Sequence, residues 1–367
     1  MRRVIKGFKR LFKNLIRAPL YFVFYIKGIV RFRWDRLASD FTTDLFKYQK
    51  ATLKQKIWAY RRGFLSERIN RYGLNENNYM NYMSDLDFYK KKMYKNQRFV
   101  YWFDDKLTTW YILQPFSQYL PIHYYSIENK KIRQLYDNGT GINNNVDGIL
   151  QLIKLKGELA FKKTRGGHGS GFMKVSYKDD EYSINNEATS VRDLRSYIET
   201  LNGYIITEYL YSHRQLRKIY DATPSVLRLV TIYDEFKGAQ ITGSLIRIGS
   251  RKTGLITDVD GSILCGVDIS DGTLFKPMID NGDTIDECLK HPNTGIAIEG
   301  QIPNWNKIVN KIIEISNYLN NTPYLTYDIV PTDTGFKILE INSHAMLRIL
   351  QPFYPFYENE YQRKLFS

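Results

Sequence analysis

Four glycines fall within six residues soon after a lysine in a β-prone run, in Leu159-Ala-Phe-Lys-Lys-Thr-Arg-Gly-Gly-His-Gly-Ser-Gly171. Glycine leaves backbone N–H groups free to turn toward an anion, because no Cβ blocks close approach. Lys162 would add a charge for phosphates. The stretch is not a Walker loop: it has no Gly-Lys-Ser/Thr ending, and its lysine precedes the glycines. A tight hairpin turn would use a similar composition, so the loop alone decides nothing.

A second constellation lies in Leu325-Thr-Tyr-Asp-Ile-Val and Lys337-Ile-Leu-Glu-Ile-Asn342. Asp328 and Glu340 each sit in an apolar run, where an unpaired carboxylate is costly. The intervening Thr332-Asp-Thr-Gly-Phe336 contains a turn that would pair the runs as antiparallel strands. Glu340 and Asn342 are two apart and so leave the same face. With Asp328 on that face, three oxygen ligands converge on a hard-cation site suited to magnesium held with phosphates. Two half-exposed strands with polar outer faces would show the same pattern. No His/Cys set suggests zinc. Arg228 and Arg247 are also embedded in β-prone runs, where each needs an anion from the protein or from a ligand.

The elements that would position these groups are short. From Arg98 onward, β-prone runs are separated by Gly, Asn and Asp: 99–103, 123–127, 159–162, 203–208, 227–233, 240–248 and 337–341. Helices are expected at 146–155, 191–202 and 305–320. Residues 38–98 are rich in Lys, Tyr, Leu and Asn and read as helices, with Gly63 and Gly73 as breaks. Mixed α+β or α/β architecture follows.

The 367 residues suffice for two or three packed subdomains, and 43% hydrophobic content with 29 Tyr and 20 Phe argues against extended disorder. Cys265 and Cys288 are too few for a disulfide scaffold and read as thiols in a reducing compartment. The net charge of +15 is concentrated at the start. Residues 1–36 hold eleven Lys/Arg against one acid, which leaves +5 for the other 331 residues. Between Arg2 and Arg17, apolar residues recur at steps of three and four with cations between them, the pattern of an amphipathic helix. Pro19 interrupts it, and the apolar stretch 20–30 is too short to span a bilayer. The expected partner is an anionic membrane face, with the helix lying in plane. The same stripe could instead pack on the protein's own body. No nucleic-acid partner is expected, since no binding module follows the basic segment.

The order of these elements resembles the ATP-grasp superfamily, which includes D-alanine–D-alanine ligase. The supporting sequence is Lys162-x3-Gly-x2-Gly-x-Gly, then Glu208-Tyr-Leu210, then Asp328 and Glu340-x-Asn342. Ser225-Val-Leu-Arg-Leu-Val-Thr231, Leu245-Ile-Arg-Ile-Gly249, Thr257-Asp258, Gly266-Val-Asp268 and Asp271-Gly272 are similar to the sugar-transfer-associated branch. Asp105-Lys106, with Pro121 downstream, looks like the start of that family's first ATP-binding subdomain. The resemblance implies an ATP-grasp domain over residues 99–367, with a glycine-rich-loop subdomain at about 150–210 and a metal-site subdomain at about 211–352. A basic membrane-associating segment, 1–37, and a helical region, 38–98, would precede it.

The resemblance also implies ATP and magnesium. Lys106 and Lys162 would meet the phosphates, and Gly166, Gly167, Gly169 and Gly171 would close over them. Lys163 stands where the family often has proline, which leaves open whether Lys162 or Lys163 makes the contact. Glu208 and the Leu210 backbone would meet adenine, and Asp328, Glu340 and Asn342 would hold magnesium. Arg228 and Arg247 would steady an acyl phosphate. The implied activity is a carboxylate–amine ligase acting on a small-molecule or glycan-linked carboxylate, in surface polysaccharide or cell-wall assembly on the cytoplasmic face of the membrane. A sugar-hydroxyl phosphotransferase and a non-catalytic nucleotide-binding scaffold are the alternatives. Arg348, after the Glu-x-Asn motif, would be a substrate contact or a surface charge.

Overall fold

In the computed structural model, the described residues are 17–29, 31–91, 95–136, 143–166, 169, 171–250, 261–282, 284–345 and 347–366. They form two compact units. Unit 1 takes its residues from Met1–Gln97, Asn281–Asp286 and Met346–Ser367; unit 2 takes Arg98–Asp280 and Glu287–Ala345.

Unit 1 is helical. Residues 17–26 form a helix that is followed by α1 (Trp34–Lys47), α2 (Leu53–Arg61), α3 (Glu67–Tyr72) and α4 (Asp85–Lys91). Gly63 and Gly73 do interrupt the helices. Gly73 ends α3 in the left-handed region, at φ 66°, where a Cβ would be strained. Phe24 and Ile29 are buried, and Phe24 packs near Phe41 of α1 with ring centroids 6.4 Å apart. The stretch 20–30 is therefore partly core. Arg17 is buried as well, 3.6 Å from Asp35, rather than lying on a cationic outer face. The rest of the amphipathic stretch, residues 2–16, lies outside the described residues. Arg348 lies in unit 1, where its Nε donates to Glu67 Oε1 at 3.3 Å and its Nη2 to the Gly282 carbonyl at 2.8 Å. No helix among the described residues is long and apolar enough to cross a membrane.

Unit 2 is built on two antiparallel sheets. The first runs in the order β2-β1-β7-β3-β4-β5-β6, with β1 His123–Glu128, β2 Lys131–Gln134, β3 Glu158–Lys163, β4 Met173–Lys178, β5 Glu181–Ile184, β6 Glu187–Thr189 and β7 Tyr204–Glu208. Alternation along β3 sends Leu159 and Phe161 into a core completed by Ile149, Ile153, Leu194 and Ile198 from the helices Val146–Lys156 and Val191–Thr200. Ala160 and Lys162 take the other face.

The second sheet contains β8 Val226–Asp234, β9 Gly238–Ile248, β10 Ser262–Val267 and β11 Leu274–Asp280. It is completed in this unit by β12 Tyr324–Thr332 and β13 Gly335–Asn342, and its spatial order is β11-β10-β9-β8-β12-β13. Helix Trp305–Tyr318 buries Trp305, Ile308, Ile312 and Ile315 at helical spacing against Leu227, Leu229, Ile246 and Ile329. Each such aliphatic side chain contributes roughly 1.5–3 kcal/mol when fully buried. With one face of β8 and β12 committed to this core, Arg228 and Asp328 must emerge on the other.

In the run 99–103, expected as a strand, residues 99–102 belong instead to the 3-10 helix Gln97–Trp102 and Phe103 follows in a turn. Its aromatic content mimics β propensity, but Phe99 and Trp102 meet edge-on three residues apart, at 4.7 Å between centroids. Strands β2, β4, β5, β6, β10 and β11 were not among the expected runs.

Candidate functional site

The site develops at the start of the helix Lys106–Ile112. Asp105 caps it, its Oδ1 accepting from the Thr108 N–H at 2.9 Å. The other carboxylate oxygen accepts from Arg165 Nε at 3.1 Å, and the Lys106 N–H donates to the Thr164 carbonyl at 2.8 Å. The helix start is thereby stitched to the loop that follows β3. Lys106 then reaches two places at once: its Nζ donates to the Gly166 carbonyl and to Glu340 Oε1, each at 3.1 Å. One ammonium thus joins the glycine-rich loop to the second sheet.

Lys162 lines the same cleft, with Lys106, Trp110, His123, Thr207 and Glu340. Burial, reinforced by the charge of Lys106, pulls its pKa down to about 8, although Glu340 and Glu208 oppose the shift. Lys163, one residue on, leaves the opposite face of β3 and is exposed; its Cε lies 2.7 Å from where a Cβ on Gly171 would stand. Lys162 is therefore the lysine facing the cleft. His123, which the sequence reading treated only as a strand residue, is buried beside it with Nδ1 2.7 Å from the Pro121 carbonyl. Burial lowers its pKa to about 4, which leaves the ring neutral at neutral pH.

On the second sheet, β8, β12 and β13 place Arg228, Asp328 and Glu340 in one cross-strand row. Arg228 grips Asp328 with two bonds of 2.7 Å, and Arg247 Nη2 adds a third at 3.2 Å. Burial alone would raise the Asp328 pKa, but the two guanidinia outweigh it and hold the carboxyl below its ordinary value. Arg247 is pulled the other way by burial, against the attraction of Asp328 and with Arg228 adding repulsion. Its Nε is buried with no hydrogen-bond partner, and so is Asn342 Nδ2.

Glu340 owes its direction to a β-bulge. The register passes from Ile329 opposite Ile338 to Asp328 opposite Glu340, which leaves Leu339 as an extra residue on β13. Phe336 and Ile338 face the helix-covered core, as does Ile341; the odd step at Leu339 turns Glu340 and Asn342 to the other side. Regular alternation could not have put both Ile338 and Ile341 in the core. The doublet Ile338-Leu339 was the available sequence signal.

The remaining expected residues are less open. Glu208, at the end of β7, receives the Ile122 N–H at 2.9 Å and donates its own N–H to the Ile122 carbonyl at 2.9 Å. Leu210 is buried against Val226 and Val330. Gly166, Gly169 and Gly171 all adopt positive φ, at 124°, 64° and 75°, as a tightly turning loop requires. Gly167 lies outside the described residues, as do Thr257 and Asp258.

A family model for sugar-transfer associated ATP-grasp proteins matches residues 86–353. The chain belongs to that family. Its two-sheet unit, preceded by helices, is the ATP-grasp fold. The ATP-grasp ligase PsnB, solved with a minimal precursor, is 14% identical at a TM-score of 0.37, over 69% of this chain and 56% of that one. D-alanine–D-alanine ligase from Bacillus anthracis is 13% identical, with a TM-score of 0.33, over 66% and 56%. D-alanyl-alanine synthetase A from Vibrio cholerae gives 11%, 0.38, 68% and 57%. The chain thus spans less than two thirds of these solved chains. No curated protein matches the sequence.

In this ATP-grasp chain, among the described residues, no group of three or more His, Cys, Asp or Glu side chains converges as a ready metal site. Magnesium shared with phosphates needs only one or two protein carboxylates, however, because it keeps several waters. Glu340 and Asn342 fit that requirement, being hard oxygen donors on one face beside the Lys106 ammonium. Asp328 would have to loosen its hold on Arg228 and Arg247 to join them.

Proposed function

We propose that this chain is an ATP-dependent carboxylate–amine ligase that works through an acyl phosphate. The observation that carries the reading is the reach of Lys106 to both the Gly166 carbonyl and Glu340, with Lys162 facing the same cleft. Lys106, Lys162 and the glycine loop would bind the ATP phosphates, while Glu208 and Leu210 would border the adenine. Glu340 and Asn342, with Asp328, would hold magnesium, which when bound supplies countercharge to the phosphates.

The acceptor carboxylate forms an O–P bond to the γ-phosphorus as the bond to ADP breaks. The amine then attacks the acyl carbon, phosphate departs, and the amine gives up a proton as the amide forms. Arg228 and Arg247 suit the charge of the acyl phosphate, and the unpartnered Arg247 Nε is a donor for one of its oxygens. Fixed donors of this kind need little reorganisation during reaction. Family membership favours a uronic or amino acid carboxylate in surface polysaccharide or cell-wall assembly.

Release of ADP with candidate carboxylates, with and without amines, tests the reading. Amine-dependent ADP release with an amide product is expected. A phosphorylated sugar would identify a kinase, and no turnover a nucleotide-binding scaffold.

The same proposal includes peripheral attachment to an anionic membrane through the N-terminal segment. Phe22, Tyr25 and Ile26 on helix 17–26 are exposed, which supports it. Because Phe24 and Ile29 are core residues, the informative truncation ends at residue 16. Unchanged flotation of that variant with anionic liposomes would remove the anchor from the account.

A further inference from the structure

The corner between α1 and α2 in unit 1 exposes several large apolar side chains, Phe46 and Leu53 most of all. Leu45 is 38% exposed, Phe46 63%, Leu53 67% and Ile57 45%. They lie within thirteen residues of one another on two adjoining segments. Scattered single apolar residues on a surface are ordinary, whereas several large ones exposed on two adjoining segments point to a contact.

The backbone under this cluster is fixed. Lys56 is buried and its ammonium donates to three carbonyls at the end of α1: Asp44 at 3.0 Å, Leu45 at 2.7 Å and Tyr48 at 2.6 Å. That arrangement satisfies carbonyls left open by the helix end and clamps α2 against it. At the other side of the corner, Thr52 and Gln55 form a capping box. The Gln55 N–H donates to Thr52 Oγ1 at 3.3 Å, and the Thr52 N–H to Gln55 Oε1 at 2.8 Å. Leu53, the first residue of α2, is 67% exposed, and the cap itself needs only Thr52 and Gln55.

Charge identifies the occupant. Lys47, Lys50 and Lys54 are exposed among the apolar residues, and no Asp or Glu occurs from Leu45 to Ser66. Cations on long stems beside aliphatic and aromatic side chains match a bilayer surface, where the stems lie along the acyl boundary and the ammonium groups reach anionic headgroups. A protein partner of average surface would be met by charges of both signs. We propose that the corner Leu45–Ile57 is a second membrane-contacting surface, inserting Phe46 and Leu53 into the interface of an anionic bilayer. It deepens the membrane reading made for the N-terminal segment but uses none of that segment's residues.

The test labels the full-length chain at Leu53→Cys with an environment-sensitive dye, in a Cys288→Ser background, and adds vesicles of phosphatidylcholine mixed with phosphatidylglycerol. The expected result is a blue shift and brightening of the dye, absent with pure phosphatidylcholine vesicles. Neutralising Lys47, Lys50 or Lys54 to Gln should weaken vesicle binding about fivefold each, with circular dichroism unchanged. A chain that binds these vesicles while the dye stays unshifted would leave the N-terminal anchor standing and overturn the corner. Failure to bind the vesicles at all would overturn both. Vesicle binding and dye shift both unchanged on neutralising the basic residues of 1–16 would support the corner alone.

Discussion

Lys162 on the first sheet and Asp328 on the second are both surrounded by protein, yet they are treated differently. Asp328 meets two arginines and is held ionised by them, against its burial. Lys162 has another cation, Lys106, as its strongest charged neighbour, and its pKa falls to about 8. The second sheet carries its counterions with it, whereas the first leaves a cation short of them. A site awaiting a polyanion would show this asymmetry: one wall stabilised internally and the other completed by phosphates.

Removing the counterion on the second sheet should have the largest effect. Asp328→Asn keeps the shape but leaves two buried guanidinia without their carboxylate. Losing one partner of a buried ion pair costs about 3–5 kcal/mol, and urea unfolding should show a loss of that size. The wild-type contribution should also fade as pH drops below the ordinary Asp value of 3.8, because the native carboxyl is held below that value and the unfolded one is not. A loss under 1 kcal/mol would mean that the arginines are satisfied elsewhere.

Glu340→Gln separates stability from chemistry. Glu340 is 27% exposed and its pair with Lys106 is accessible to water, so the stability change should stay within about 1 kcal/mol. ADP release should fall about 10²–10³-fold, the scale of losing a preorganised electrostatic partner. Retained turnover would show that the metal and phosphate site lies elsewhere.

The first sheet is probed through pH. Between about 8 and the ordinary lysine value of 10.5, native Lys162 has lost a proton that the unfolded chain still holds. Stability should therefore rise with pH across that window, and Lys162→Met should flatten the rise. ATP should oppose the trend, binding more weakly as the ammonium deprotonates. A wild-type stability curve parallel to the variant's would show that Lys162 is already neutralised by the protein.

Much of this site was legible in the sequence because it follows local rules. The turn at 332–336 did pair the two carboxylate runs, and alternation did place Glu340 and Asn342 together. The glycines of the loop do adopt positive φ wherever they are described. What the sequence hid was relational. The grip of Arg228 and Arg247 on Asp328 spans strands about 100 and 81 residues apart. The turn of Glu340 toward the site depends on one extra residue in a strand pair, which strict period-two reading does not anticipate. His123 looked like any residue entering a strand, since its burial depends on a sheet assembled from both sides. The aromatic run 99–103 erred in the opposite direction: side-chain type suggested a strand, while short-range ring packing accompanies a helical turn.

The smallest expected effect lies on the outer side of β3, opposite Lys162. Gly171 has φ 75°, and a Cβ there would stand 2.7 Å from both Lys163 Cε and Tyr204 Oη. Gly171→Ala thus meets two costs, a left-handed backbone worth about 1–2 kcal/mol and a steric contact. The lysine tail can move aside, so Tyr204 decides how much the contact adds. Pairing Gly171→Ala with Lys163→Ala separates these terms in urea unfolding. The second change should recover only a few tenths of a kcal/mol if backbone strain dominates. Recovery of the whole loss would show that Lys163, not the turn, requires glycine at this position.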